Sequence, residues 1–320
     1  MDVLIVTGSY PPETGGIGEL MKGFTDALSS AGIGVSVLAS VDGAEKLSSE
    51  QIPVSEFRLP NAGYIRRVLA CRTAVQRQLA KGSFDRVLVS SWSPFAVGLA
   101  PASRVLVLNP GIDAQRFAPG ERPEQLANHL GIGPENRVLL SLSRLVPRKG
   151  FDLTLRALPR VLEAHPSTLY VIAGEGPDRR RLEELTASLG LGDHVRFAGP
   201  VSAQELPLYY RLPDLFVMPS RFIEEEGDVE GFGIVFLEAA LSGVASVGGR
   251  SGGIPDAVLH GETGLLVDPK NEIDCAAAIA DLLSDNARLT RLGQQARARA
   301  RAMSQFSWNT VVKKYLTWIA

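Results

Sequence analysis

Two glutamates are separated by seven residues in the stretch Glu230-Gly231-Phe232-Gly233-Ile234-Val235-Phe236-Leu237-Glu238. A strand-like run, Leu215 to Met218, precedes it, and a helical run from about Ile234 to Leu241 takes in its second half. A helix starting near Gly233 puts Glu238 just past its first turn and leaves Glu230 in the loop before it. Two carboxylates then face one cleft at different depths. The unpaired amides of the first helical turn point into the same space and suit anionic oxygens. Taken alone, the stretch also reads as a solvated acidic loop before a core helix, since Glu224 to Glu226 form a charge run.

A cationic set lies upstream. The strand-like Asn136 to Ser143 runs into Arg144-Leu145-Val146-Pro147-Arg148-Lys149-Gly150, and a helix from about Phe151 to Ala164 follows. Arg144 and Lys149 therefore sit at the carboxyl end of a strand, on the loop that opens a helix. In an open α/β sheet that edge is where ligands bind. Two cations beside a helix N-terminus suit a diphosphate, while surface cations on an ordinary loop are the competing reading. Near the start, Gly15 and Gly16 would let the backbone come close to a ligand, or simply make a tight turn. Their spacing is not G-x-G-x-x-G, so no nicotinamide dinucleotide is expected.

The elements that must position these residues alternate along the whole chain. Strands are expected at Asp2–Thr7, Val35–Ala39, Val54–Leu59, Asp85–Ser90 and Arg104–Leu108, with helices at Ile17–Ser30, Tyr64–Lys81 and Pro94–Ala100. The second half continues with strands at Thr168–Ala173, His194–Ala198, Val244–Val247 and Gly264–Val267. Its helices are expected at Asp178–Leu189, Gln204–Arg211, Glu272–Ser284, Ala287–Ala302 and Trp308–Ile319. Continuous apolar strands alternating with helices predict two doubly wound α/β domains. The helix from Tyr64 to Lys81 carries Arg66, Arg67, Arg72, Arg77 and Lys81, with Ile65, Leu69, Val75 and Leu79 as its expected apolar side. It reads as a solvated face or as a contact for an anionic membrane surface.

The 320 residues are 45% hydrophobic and 21% charged, with a net charge of −2. Length and core capacity argue for two domains. The charge balance gives no reason to expect nucleic acid as a partner. The two cysteines, Cys71 and Cys275, each stand alone in a helical pattern, as buried free thiols would in a reducing compartment. His129, His165, His194 and His260 are not spaced as metal ligands, and no metal is expected. The opening MDVLIVTG reads as a strand and not a leader, and no apolar run reaches membrane-spanning length. A cytoplasmic protein is expected, with peripheral contact at the inner membrane face as the further option.

The ordered set PPETGG, NPGID at Asn109–Asp113, SRLVPRKG at Ser143–Gly150, AGEGP at Ala173–Pro177, VRFAGPV at Val195–Val201, EGFGIVFLEA at Glu230–Ala239, SGG at Ser251–Gly253 and GLLV at Gly264–Val267 resembles the retaining glycosyltransferases of family four. The form of the glutamate stretch is most similar to phosphatidylinositol mannosyltransferases. The resemblance implies a GT-B fold, two Rossmann-like doubly wound domains facing a cleft. The implied domains are 1–108 on the acceptor side, 109–303 for the nucleotide sugar, and a helix at 304–320 crossing back to the first. It implies a metal-independent, retaining transfer of a hexose, mannose favoured, from a nucleoside diphosphate sugar to a lipid or glycan. It implies no cofactor beyond that substrate, GDP-mannose favoured and a UDP-sugar the alternative. Arg144 and Lys149 would hold the diphosphate, Glu238 the ribose hydroxyls, and Glu230 would lie by the sugar. Backbone at Gly231, Phe232, Gly233 and Ile234 would contact sugar or phosphate, Gly15 and Gly16 the phosphates, and Val201 would sit near the base.

One departure stands out. Only Pro101-Ala102-Ser103 separates Ala100 from the strand leading to Asn109. On the order of sixty residues of a full doubly wound half are missing there, so the N-terminal domain is expected to be truncated internally. No histidine precedes His129, whereas the family carries one near the sugar in that region. The alternative expectation is therefore a catalytically impaired nucleotide-sugar-binding protein or scaffold of the same fold.

Overall fold

Apolar runs without polar alternation become strands covered on both faces, as parallel sheets require. Thr168–Ala173 and Leu215–Met218 are buried at every position. The computed structural model describes residues 1–7, 16–40, 52–58, 64–89, 115–223, 230–303 and 312. The chain divides into two compact units, Met1–Gly111 with Glu224–Asp228 and Phe306–Ala320, and Ile112–Ile223 with Val229–Gln305.

The first unit contains β1 (Asp2–Thr7), α1 (Gly16–Ser30), β2 (Gly34–Ser40), β3 (Val54–Phe57), α2 (Tyr64–Leu79) and β4 (Arg86–Val89). Its strands form a parallel sheet in the order β3-β2-β1-β4. That is the order of the first four strands of a doubly wound sheet. Side chains alternate across β1. Val3 and Ile5 pack with Met21, Phe24 and Leu28 of α1 and with Val312, and Leu4 and Val6 pack with Cys71 and Val75 of α2. The expected apolar side of α2 needs correction, because Leu69 and Leu79 are 54% and 38% exposed. Leu69 lies two residues, about 200°, around the helix from Cys71, and Leu79 is the last helical residue. The expected elements at 94–100, 104–108 and 308–319, the segment 109–113 and Gly15 lie outside the described residues, Val312 excepted.

The second unit contains α3 (Glu124–His129), β5 (Arg137–Leu142), α4 (Phe151–Ala164), β6 (Thr168–Ala173), α5 (Arg179–Ser188), β7 (Val195–Gly199) and α6 (Leu206–Tyr209). It continues with β8 (Leu215–Met218), α7 (Ile234–Leu241), β9 (Ala245–Gly249), α8 (Ile254–Ala257), β10 (Gly264–Val267), α9 (Glu272–Ser284) and α10 (Asn286–Met303). The parallel sheet runs β10-β9-β8-β5-β6-β7. From β5 the chain winds outward to β6 and β7, then returns to lay β8 on the other side of β5, pairing Leu139 with Leu215 and Leu140 with Phe216. In such sheets the ligand crevice opens beyond the carboxyl ends of the strands where the winding reverses. The loops at that point are the ones after Leu142 and after Met218. Each face of the sheet has its own core. Val138, Leu140 and Leu142 join Phe216 and Met218 and Phe236 of α7, whereas Leu139 joins Leu155 and Leu158 of α4 and Ile279 of α9.

Candidate functional site

The loop after β5 is built to approach the strand beside it. Arg144 is exposed, Leu145 is fully buried, and Pro147–Lys149 form a 3-10 turn that ends at Gly150 in the left-handed region (φ 76°, ψ 18°). A Cβ at Gly150 would stand 2.2 Å from the carbonyl oxygen of Pro219, just past β8. Only glycine permits both that backbone and that approach. The Arg221 amide then donates to the carbonyl of Arg148 at 2.8 Å. The Arg221 guanidinium donates to Oδ2 of Asp152 in the first turn of α4 at 2.9 Å. The two switch-point loops are thus tied together by backbone and side chain.

Glu230 completes this junction. Its Oε2 accepts from Arg148 Nη1 at 2.9 Å and from Lys149 Nζ at 2.5 Å. The three side chains are only 12%, 20% and 9% exposed. Burial pushes the Glu230 carboxyl upward, but the Lys149 ammonium and the Arg148 guanidinium outweigh burial and hold it below the usual carboxylate range. Oε1 accepts no hydrogen bond from a described residue. The carbonyl of Glu230 accepts from the Gly253 amide at 3.0 Å, which anchors the loop from its other side.

Helix α7 begins at Gly233, again left-handed (φ 82°, ψ 61°), and no side chain caps it. Its leading amides remain available to a ligand. Phe232 is buried, Ile234 half-buried and Gly231 exposed. One turn into the helix, Glu238 accepts through Oε2 from the Tyr210 hydroxyl at 2.6 Å, and its Oε1 is likewise uncommitted among the described residues. Burial raises the Glu238 carboxyl, with the Tyr210 bond and the Arg116 charge pulling the other way. Arg116 donates to the carbonyl of Ala203, two residues past Val201. Val201 itself is half-buried against the cluster that holds Phe236.

The expected residues therefore divide. Lys149 and Glu230 meet directly, and Glu238 follows on the helix that Glu230 precedes. Arg144 stays exposed and makes no ion pair with a described residue, and Gly16 opens α1 in the first unit. Arg148 was missed, although its place beside Lys149 in a three-residue turn was a signal. Tyr210 was missed as well, and its signal was the pair of phenols, Tyr209 and Tyr210, that closes the apolar run Leu206-Pro207-Leu208. Among the described residues no three His, Cys, Asp or Glu side chains gather to hold a metal ion.

Two parallel, Rossmann-like sheets in α/β units define the GT-B class. Sucrose-phosphate synthase from Thermosynechococcus elongatus matches with a TM-score of 0.74 at 18% identity, over 100% of this chain and 99% of that one. HepE of Anabaena in complex with UDP matches with a TM-score of 0.75 at 21% identity, over 99% of this chain and 100% of that one. At such identities the likeness speaks for the fold. Residues 123–299 match the family described as glycosyl transferases group 1, and the chain belongs to that family.

Among its relatives is the GDP-mannose-dependent alpha-(1-6)-phosphatidylinositol monomannoside mannosyltransferase of Mycobacterium tuberculosis. The two are 39% identical over 250 residues, 77% of this chain and 64% of the relative. The protein of the same description from Mycolicibacterium smegmatis is 40% identical over 219 residues, 68% of this chain and 56% of the relative. The D-inositol 3-phosphate glycosyltransferase of Geodermatophilus obscurus is 37% identical over 222 residues, 67% of this chain and 46% of the relative. The chain spans less than two thirds of the length of each.

Proposed function

We propose that the chain binds a nucleoside diphosphate sugar and transfers its hexose, with retention and without a metal ion, to a lipid or glycan acceptor. GDP is the favoured nucleotide and mannose the favoured sugar, with a UDP-sugar as the alternative. The observation that carries the reading is the contact of Lys149 with Glu230 where the winding of the sheet reverses. It joins a cation suited to phosphate to a carboxylate suited to sugar, and each of Glu230 and Glu238 has one oxygen uncommitted among the described residues. The names of the mycobacterial relatives, both GDP-mannose-dependent, favour the donor.

Arg144 and Lys149 would take the diphosphate oxygens, with the uncapped amides at the start of α7 beside them. As the bond from the anomeric carbon to the diphosphate breaks, the leaving oxygen keeps the electron pair. The same cations then stabilise the charge that grows on it. The anomeric carbon passes through an oxocarbenium-like state that the Glu230 carboxylate favours electrostatically. Retention follows when the acceptor oxygen bonds to the face the diphosphate leaves, and a phosphate oxygen takes the acceptor proton. Glu238 would accept hydrogen bonds from the ribose hydroxyls, and Val201 would border the base. A cytoplasmic location with peripheral contact at the inner membrane face fits a lipid acceptor. No helix among the described residues is long and apolar enough to cross a membrane.

Calorimetry with GDP and GDP-mannose is the test. Binding is expected, and Lys149→Ala should weaken it about 10- to 100-fold, the loss of one or two charge-assisted hydrogen bonds. Absence of binding to any nucleotide ends the reading. The second reading, donor binding without turnover, rests on the shortened stretch between Ala100 and Asn109 and on the lack of a histidine before His129. Transfer of labelled mannose to membrane lipid extracts separates the two.

A further inference from the structure

Tyr210 follows the last turn of α6 and is fully buried. Its ring meets Phe117 edge-on, centroids 5.6 Å apart at 81°, and Phe216 at a tilt, 5.9 Å apart at 49°. Phe216 in turn meets Phe236 of α7 at 5.5 Å and 89°. A ring held edge-on by one neighbour and at a tilt by the other leaves its phenol oxygen little freedom. From there it donates to Oε2 of Glu238 at 2.6 Å. A backbone carbonyl would have satisfied a buried hydroxyl equally well. The partner is instead a carboxylate whose second oxygen is uncommitted among the described residues. We propose that Tyr210 is a positioning residue for the nucleotide, fixing Glu238 by one oxygen so that the other receives the vicinal diol of the ribose. The inference rests on the nucleotide-sugar reading above.

The charges around Glu238 agree with this role. A diol needs an acceptor, and a protonated carboxyl gives up part of its acceptor capacity. Burial drives Glu238 toward the protonated form. The Tyr210 hydrogen bond and the Arg116 guanidinium are the two influences that oppose it. Arg116 is itself held, over the Phe117 ring at 5.3 Å and by the carbonyl of Ala203. Tyr210 stays a donor throughout, because burial and the neighbouring carboxylate push its hydroxyl well above the ordinary phenol range.

Tyr210→Phe keeps the ring stack and removes only the donor. Calorimetry with GDP and with 2′,3′-dideoxy-GDP across pH 5 to 8 reads the diol contact separately from the diphosphate contact. Wild type should prefer GDP by about tenfold or more. The variant should lose most of that preference while binding dideoxy-GDP as wild type does. The pH at which GDP binding weakens on acidification should also move upward in the variant. A variant that keeps the preference, or loses affinity for both nucleotides equally, overturns the inference and leaves the nucleotide reading standing. A wild type that binds both nucleotides equally overturns it too, whereas one that binds neither overturns both. If Tyr210→Phe does not fold, wild type decides the matter: its preference for GDP must fade on acidification while dideoxy-GDP affinity holds.

Discussion

A carboxylate held between two cations in a site closed to most water is stable only while all three charges are present. Glu230, Lys149 and Arg148 form such a set, and removing Glu230 takes a buried partner from both cations. Glu230→Gln should lower stability by about 3 kcal/mol in urea unfolding at pH 7. Because the folded carboxyl lies below its unfolded range, its contribution is present above the unfolded value of about 4.3 and fades as pH falls through the folded one. The gap between wild type and variant should therefore be constant from pH 7 to 5 and shrink below that. The same variant takes the Glu230 charge away from Lys149 and Arg148, so GDP binding should hold or tighten while sugar transfer drops. Weaker GDP binding in Glu230→Gln, matching that of Lys149→Ala, would show that Glu230 does not compete with phosphate for the lysine.

Helix α7 carries both the uncapped amides and Glu238, so its starting point fixes the site. That point is set by Gly233, where a Cβ would stand 2.6 Å from Cδ2 of Phe236 and where φ is 82°. Gly233→Ala should cost about 2 kcal/mol or more, strain plus displacement of a core ring, and should abolish GDP binding. Gly190→Ala has a similar φ of 68° and open space around it. It should show the strain alone, about 1 kcal/mol, and leave binding intact. Equal costs for the two would mean that Phe236 does not lock the helix start. At this scale the sequence was most legible where a largely apolar run fills a whole element. Thr168–Ala173, Leu215–Met218, Ile234–Leu241 and Gly264–Val267 were all expected with the bounds they have. Helical elements of three to six residues, such as Glu124–His129, Pro147–Lys149 and Ile254–Ala257, were not expected, because so few residues show no helical period. The expected helix at 204–211 shrinks to Leu206–Tyr209 for the same reason. Pairing of Arg148 with Glu230, 82 residues further on, was beyond reach, since it depends on β8 returning beside β5.

Across the whole molecule, Lys149, Glu230 and Glu238 all belong to the second unit, so the diphosphate and ribose contacts proposed for them would require only that unit. The first unit then bears on where the acceptor is met. A net charge of −2 hides the surface of α2. Arg72 and Arg77 are exposed there with Lys81 just beyond, and Leu69 and Leu79 point outward with them instead of into the core. Cations set among exposed leucines suit an anionic bilayer, where each contributes about 1 kcal/mol near the surface. Vesicles of phosphatidylcholine with about a third anionic lipid should retain the protein on flotation, and retention should fall as ionic strength rises and screens the charges. Reversing two charges with Arg72→Glu and Arg77→Glu should weaken vesicle binding by about 100-fold or more and leave GDP affinity unchanged, because neither residue belongs to the donor contacts. Retention that is the same on purely zwitterionic vesicles, or untouched by charge reversal, would remove α2 as the membrane face and with it the main structural reason for favouring a lipid acceptor over a free glycan.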